Sequence, residues 1–174
     1  MVQKLPWLER RFQFDLPKWM YPNVVERVRG TPARAEEIIR DIPTTVLTRR
    51  SGDTWSIQEN IGHLLDLESL WAKRLDELVE GLPKLTAWEE TNQATWEADH
   101  NSHSLEAILA SFREARSRFV GRLDKLDDSL IERIALHPRL QKPMRTIDLV
   151  FFIAEHDDYH LARITELKSA FLES

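Results

Sequence analysis

The sequence predicts an all-α protein, a four-helix bundle with long crossover connections. Three observations carry this reading. Glycine is scarce, 5 in 174 residues, too few for a turn-rich β-sandwich or a dinucleotide-binding domain. Apolar residues, 42% of the chain, recur at helical spacing in four long segments. The connections after the second and third segments are too long for simple up-and-down turns, which calls for crossovers. Strand content is expected to be close to nil.

Taken in order, residues 1–21 form an aromatic-rich N-terminal arm broken by Pro6 and Pro17. Its Trp7, Phe12, Phe14, Trp19 and Tyr21 are expected to pack on the body or on a partner. Residues 22–174 form the bundle. The first helical region, 22–42, is interrupted at Gly30-Thr31-Pro32, where Thr31 as N-cap and Pro32 at the first helical position would restart the helix. Ser56 and Glu59 make an S-x-x-E capping box for a second helix that runs to Glu80 and stops before Gly81 and Pro83. Residues 82–103 read as a loop. Ser104 caps a third helix to about residue 126, whose stripe includes Leu105, Ile108, Phe112, Phe119 and Leu123. Residues 127–145, with Pro138 and Pro143, read as a crossover. Thr146 is the expected cap of a fourth helix to about Phe171.

Composition narrows the chemistry. The chain has no cysteine, which removes disulfide scaffolds, cysteine zinc sites, iron–sulfur clusters and thiol nucleophiles together. Any metal site must draw on His, Asp, Glu or main-chain oxygen. A net charge of −5 has the wrong sign for a protein that coats nucleic acid. No apolar run approaches the roughly 20 residues of a membrane span, and the charged N-terminus does not read as a secretory signal. The expected location is cytoplasmic.

The six histidines divide by position. On the fourth helix, with His156 set at 0° and about 100° per residue, His160 falls near 40°. Leu149 and Leu167 fall near 20° and Ile153 near 60° on the same wheel, so both histidines lie within the apolar stripe. Four residues apart, their rings are neighbours that can share one ion. Left unpaired in an apolar stripe, each would cost about 1–3 kcal/mol. On the second helix His63 lies at the edge of the apolar arc and reads equally as core filler or as a ligand reaching across to a neighbouring helix. Gly62 beside it permits close helix approach. His63, His156 and His160 together would give three imidazoles with one open position, the arrangement that activates a bound water. His100, His103 and His137 read as surface or loop residues.

Rival constellations are weaker. His156-Asp157-x-x-His160 has the spacing of a zincin motif, but Asp157 is shorter than Glu and points away from the histidine face. A di-iron carboxylate set is incomplete. Glu68 and Arg163 on apolar stripes read as half-buried ion-pairing groups, or as substrate-binding groups. Glu59 reads as a capping residue or as an orienting carboxylate for His63.

Two segments together resemble a known family. TWSIQENIGHLLDLE, with its W-S-x-x-E-x-x-x-H pattern, and LVFFIAEHDDYHLARI, with H-x-x-x-H, are similar to the second and fourth helices of DinB-like (YfiT-like) proteins. HPRLQKPMRTIDL is similar to the connection leading into the fourth helix. The resemblance covers most of residues 22–171 and leaves the arm outside. It implies a helical bundle with a three-histidine divalent metal site, His63 matching the first family histidine and His156 and His160 the pair. It also implies a metal-dependent hydrolase or a thiol-dependent S-transferase. Three imidazoles suit zinc, nickel, copper or iron, of which zinc or nickel is expected. A low-molecular-weight thiol such as bacillithiol or mycothiol would be the cosubstrate, since the chain has no thiol of its own. Homodimers are common in the family, so a homodimer acting on a small molecule is expected, with no nucleic acid or membrane partner. The alternative is a non-catalytic bundle acting through dimerisation, its metal site structural or vestigial.

Overall fold

The computed structural model describes residues 5–172. The helices in chain order are α1 (Tyr21–Arg29), α2 (Thr31–Ile39), α3 (Thr44–Leu47), α4 (Ile57–Asp66), α5 (Glu68–Glu80), α6 (Gln93–Glu97), α7 (Leu105–Leu123), α8 (Asp128–Ile131) and α9 (Thr146–Leu172). Strands β1 (Ile134–His137) and β2 (Lys142–Arg145) lie between α8 and α9. The bundle has four helical lines: α1 with α2, α4 with α5, α7, and α9. Contacts of α9 with α1, α2 and α4, and of α4 with α7, place the fourth helix at the centre.

The breaks in the lines have local causes. Pro32 has no N–H to give the carbonyl four residues earlier, that of Val28. Arg116 Nη1 takes over that carbonyl at 2.8 Å. Thr31 is the first residue of α2 rather than its cap. Its hydroxyl is committed instead to Asp157 Oδ2 at 2.6 Å. The second line is two helices where one was expected, with a bend at Leu67. The hydrogen-bond ladder carries across it, from Leu67 N–H to His63 C=O and from Trp71 N–H to Leu67 C=O. The capping box at Ser56 and Glu59 is formed in both directions, and Gly81 ends α5 in the left-handed region at φ 76°.

Three expectations are corrected. First, residues 134–145 form a two-stranded antiparallel hairpin, with Ile134 opposite Arg145 and His137 opposite Lys142. Pro143 is tolerated because β2 is an edge strand. The other edge of β1 is taken by residues 83–85, through Leu136 N–H to Pro83 C=O and Leu85 N–H to Leu136 C=O. Second, Thr146 does not cap α9. It is already helical, and its hydroxyl donates to Leu130 C=O at 2.6 Å. Asp148 accepts the Arg145 N–H at 3.0 Å in its place. Third, residues 82–103 are not all loop, since α6 and a 3-10 turn at His100–Ser102 lie within them.

The arm lies along the bundle. Phe12 is buried and its ring centroid is 5.0 Å from that of Phe152. Lys142 Nζ donates to Phe12 C=O at 2.9 Å and Arg145 Nη2 to Leu16 C=O at 2.9 Å, so the hairpin holds the arm in place. Among the described residues no helix is long and apolar enough to cross a membrane.

Candidate metal centre

The rings of His63 from α4 and of His156 and His160 from α9 meet in the bundle interior. One nitrogen of each lies within 4.8 Å of the others, and all three residues are buried. The spacing of the pair on α9 and the edge position of His63 on α4 produce this meeting because α4 packs directly on α9.

Hydrogen bonds fix the tautomers of two rings. Asn60, one turn before Leu64 on α4, donates its amide N–H groups to Ser56 C=O at 2.7 Å and to Trp55 C=O at 3.3 Å. That settles the amide orientation, so Asn60 Oδ1 is an acceptor. It accepts from His160 Nδ1 at 2.9 Å. His63 Nδ1 lies 3.0 Å from the Thr95 hydroxyl, which itself donates to Asp66 Oδ2 at 2.8 Å. Thr95 therefore accepts from His63. Both Nδ1 atoms carry the proton, and Nε2 is the nitrogen that each ring can turn on the cluster with a lone pair. Such outer partners orient ligand imidazoles and raise their basicity.

His156 is different. Its Nδ1 is buried with no hydrogen-bond partner. Trp7 and Trp71 approach its ring edge-on, with centroids at 4.9 and 5.9 Å. Burial lowers the His63 pKa to about 4 and holds His156 well below the ordinary imidazole range, the proximity of His63 adding to the second shift. Both are neutral near pH 7 and able to donate lone pairs. The group contains no carboxylate or fourth histidine among the described residues.

The neighbouring acids serve other ends. Glu59 closes the capping box and pairs with Arg50, so the capping reading stands and His63 is oriented by Thr95 instead. Asp157 is fully buried, held by Arg116 Nη1 at 2.5 Å and by Thr31. Glu68 joins the same network through Arg116 at 2.7 Å. It is thus a buried ion pair with a partner on α7. Arg163 reaches Glu166 at 3.3 Å and Thr54 at 3.2 Å.

Two histidines expected at the surface are buried. His100 is 6% exposed and His137 2% exposed, while His103 is exposed. His100 Nε2 bonds Asp66 Oδ2 at 2.9 Å, on the same carboxylate that holds Thr95. Its segment is drawn in by Gln58, whose amide donates to His100 C=O at 2.6 Å and to His103 C=O at 2.8 Å. Thr95 and Asn60 were missed in the sequence. Asn60 carried a signal, since a polar residue inside a helix one turn after the Ser56 cap, and three before His63, sits on the histidine side.

The fold has solved counterparts. YfiT from Bacillus subtilis, described as a probable metal-dependent hydrolase with an unusual four-helix bundle topology, is similar with a TM-score of 0.80 at 20% identity, over 94% of each chain. An uncharacterised protein from Clostridium difficile 630 gives 0.67 at 13% identity, over 87% of this chain and 97% of that one. A Streptococcus pneumoniae protein gives 0.64 at 12% identity, over 92% and 93%. No curated protein matches the chain. The model of the DinB superfamily matches residues 27–164, and the chain therefore belongs to the DinB superfamily.

Proposed function

We propose that His63, His156 and His160 hold one divalent ion, zinc or nickel, and that the protein is a metal-dependent hydrolase or thiol-dependent transferase acting on a small molecule. The observation that carries this is the donor set itself. Three buried imidazoles bring one nitrogen each within 4.8 Å of the others, and two of them have their Nδ1–H groups tied outward. His156 Nδ1 is buried with no hydrogen-bond partner, and a polar atom left so in an apolar interior is costly. A divalent ion bound there supplies Lewis acidity that brings the pKa of a bound water or thiol toward neutrality. Thr95 and Asn60 hold the rings in place, and Trp7 and Trp71 keep bulk water from His156. With no cysteine in the chain, a transferred or attacking thiol would belong to a cosubstrate.

The likeness to YfiT supports the hydrolase branch, since that protein is described as a probable metal-dependent hydrolase. The non-catalytic alternative drew on the aromatic arm as an association surface. Trp7 and Phe12 are packed against Phe152 of the same chain, while Trp19 is 73% exposed, so the part of the arm beside the histidines belongs to the site.

Elemental analysis of protein purified without an affinity tag tests the site. About one zinc or nickel per chain is expected, and its loss in His156→Ala. Protein that holds no metal and takes up neither zinc nor nickel would overturn the reading. Sedimentation of the same sample tests the homodimer that forms part of this proposal.

A further inference from the structure

Next to the histidine cluster is a cavity of about 170 Å³ whose lining includes His156, Trp7 and Trp71, and also Arg74, His137 and Arg139. Holding a metal explains none of the last three. Arg74 is 1% exposed, and among the described residues no carboxylate lies within ion-pair distance of it. Its Nε donates to Thr86 C=O at 3.0 Å. The carboxylate behind it, Glu77, is occupied by the N–H of Thr86 at 2.7 Å and by the Thr86 hydroxyl. A buried guanidinium without a carboxylate is expensive.

The far end of the same guanidinium is no better served. Arg74 Nη1 lies 3.3 Å from His137 Nε2. His137 Nδ1 accepts the Leu140 N–H at 3.2 Å, so a neutral imidazole here carries its proton on Nε2. Two N–H donors thus face each other with no acceptor between them. A third is close by. Arg139 Nη2 is buried without a partner, and Nη1 has only a long bond to Leu8 C=O at 3.4 Å. Burial lowers the Arg74 pKa to about 10 in spite of the opposing charge of Glu77, and the charge of Arg139 adds to the lowering.

We infer that this cavity is a subsite for the carboxylate of a small organic substrate with an apolar or aromatic body, the reacting end of which meets the histidine cluster at His156. The inference rests on the proposed metal site for its chemistry, but not for its binding. One carboxylate oxygen can accept from both Arg74 and His137, and the other from Arg139. The lining carries two guanidiniums and a single carboxylate, that of exposed Glu90, a balance that a monoanion neutralises. Trp7 and Trp71 offer apolar walls to the body of such a molecule. This favours a carboxylate over a phosphate.

Calorimetric titration of the full chain with benzoate, and separately with inorganic phosphate, tests this, both as purified and after dialysis against a chelator. Saturable benzoate binding that survives chelation is expected, tighter than that of phosphate. Arg139→Gln and Arg74→Lys should each weaken it by about tenfold, the effect of one missing charge-assisted hydrogen bond. Half-exposed Arg139 should keep the melting temperature of the parent, so Arg139→Gln decides the matter if Arg74→Lys does not fold. No saturable binding, unchanged affinity in Arg139→Gln, or tighter binding of phosphate overturns the inference. Binding that disappears on chelation also overturns it, since the anion would then sit on the metal. Benzoate binding in a chain that takes up no metal leaves the subsite standing and removes only the metal reading.

Discussion

His160 Nδ1 and Asn60 Oδ1 lie 2.9 Å apart, and this bond joins α9 to α4 at the point where the histidines meet. Because both amide hydrogens of Asn60 go to the carbonyls of Trp55 and Ser56, the capping turn of α4 decides which nitrogen of His160 carries the proton. Asn60→Ala should keep the fold and lower affinity for zinc by roughly 10–100-fold, the usual effect of losing an outer partner of a ligand histidine. Competition against a chromophoric chelator measures this. Affinity equal to that of the parent would show that His160 needs no such orientation.

The Asp66–Thr95–His63 chain makes a parallel prediction. Thr95→Val keeps the shape and removes the hydroxyl that relays between His63 at 3.0 Å and Asp66 at 2.8 Å. His63 Nδ1–H is then buried without an acceptor, a cost of about 1–3 kcal/mol. Zinc affinity should fall by at least tenfold, with a smaller fall in melting temperature. A drop in stability with no change in zinc affinity would separate Thr95 from the site.

Gly62 permits a close approach, though the partner is a loop side chain rather than a helix. A Cβ at Gly62 would lie 2.2 Å from His100 Cδ2, and that ring is held by Asp66. Gly62→Ala should destabilise the protein by about 1–3 kcal/mol through overpacking. The penalty should shrink in a His100→Ala background, because the clash goes with the ring. Urea denaturation of the four proteins of this cycle gives the coupling, and additive effects would rule the contact out as the cause.

The sequence was legible wherever local periodicity decides the structure. The Ser56–Glu59 box, the stop at Gly81 and the inward phase of His156 and His160 each depend on residues a turn or two apart, and each is found. The features that escaped depend on segments that have no periodicity of their own. His100 is buried because Gln58 captures its backbone, and His137 because residues 83–85 complete a sheet edge around β1. Neither pairing leaves a mark near the histidine concerned. The partner of Glu68 was equally hidden, since Arg116 is 48 residues away on another helix.

That network makes its own prediction. Arg116 is 1% exposed and Asp157 fully buried, and Arg116 also holds the Val28 carbonyl that Pro32 leaves without a donor. Opposed carboxylates hold Arg116 firmly charged, although burial works against it, and burial raises the Glu68 pKa. Arg116→Met strands two buried carboxylates and should cost about 3–5 kcal/mol. Replacing Glu68 and Asp157 by Leu in the same chain should recover much of that loss, as apolar substitutes for buried ion pairs often do. Equal melting temperatures for Arg116→Met and the parent would refute the account.

His137 should contribute to acid sensitivity. Burial, helped by the charges of Arg74 and Arg139, lowers its pKa to about 3 from the ordinary 6.5. Below about pH 6.5 the unfolded chain takes up a proton at this position that the folded chain refuses until near pH 3. Stability from the neutral ring is therefore complete above 6.5 and falls as the pH drops toward 3, by at most about 1.4 kcal/mol per pH unit. Carboxylates with lowered pKa values enter only at more acid pH, and Glu68, whose pKa burial raises, is common to parent and variant and cancels in the comparison. Buried His63 and His156 act in the same direction, and subtraction removes them. Urea midpoints of metal-free protein at pH 7, 6 and 5 should fall less steeply in His137→Asn than in the parent. Parallel slopes would mean that His137 is protonated in the folded protein, with Arg74 and Arg139 turned away from it.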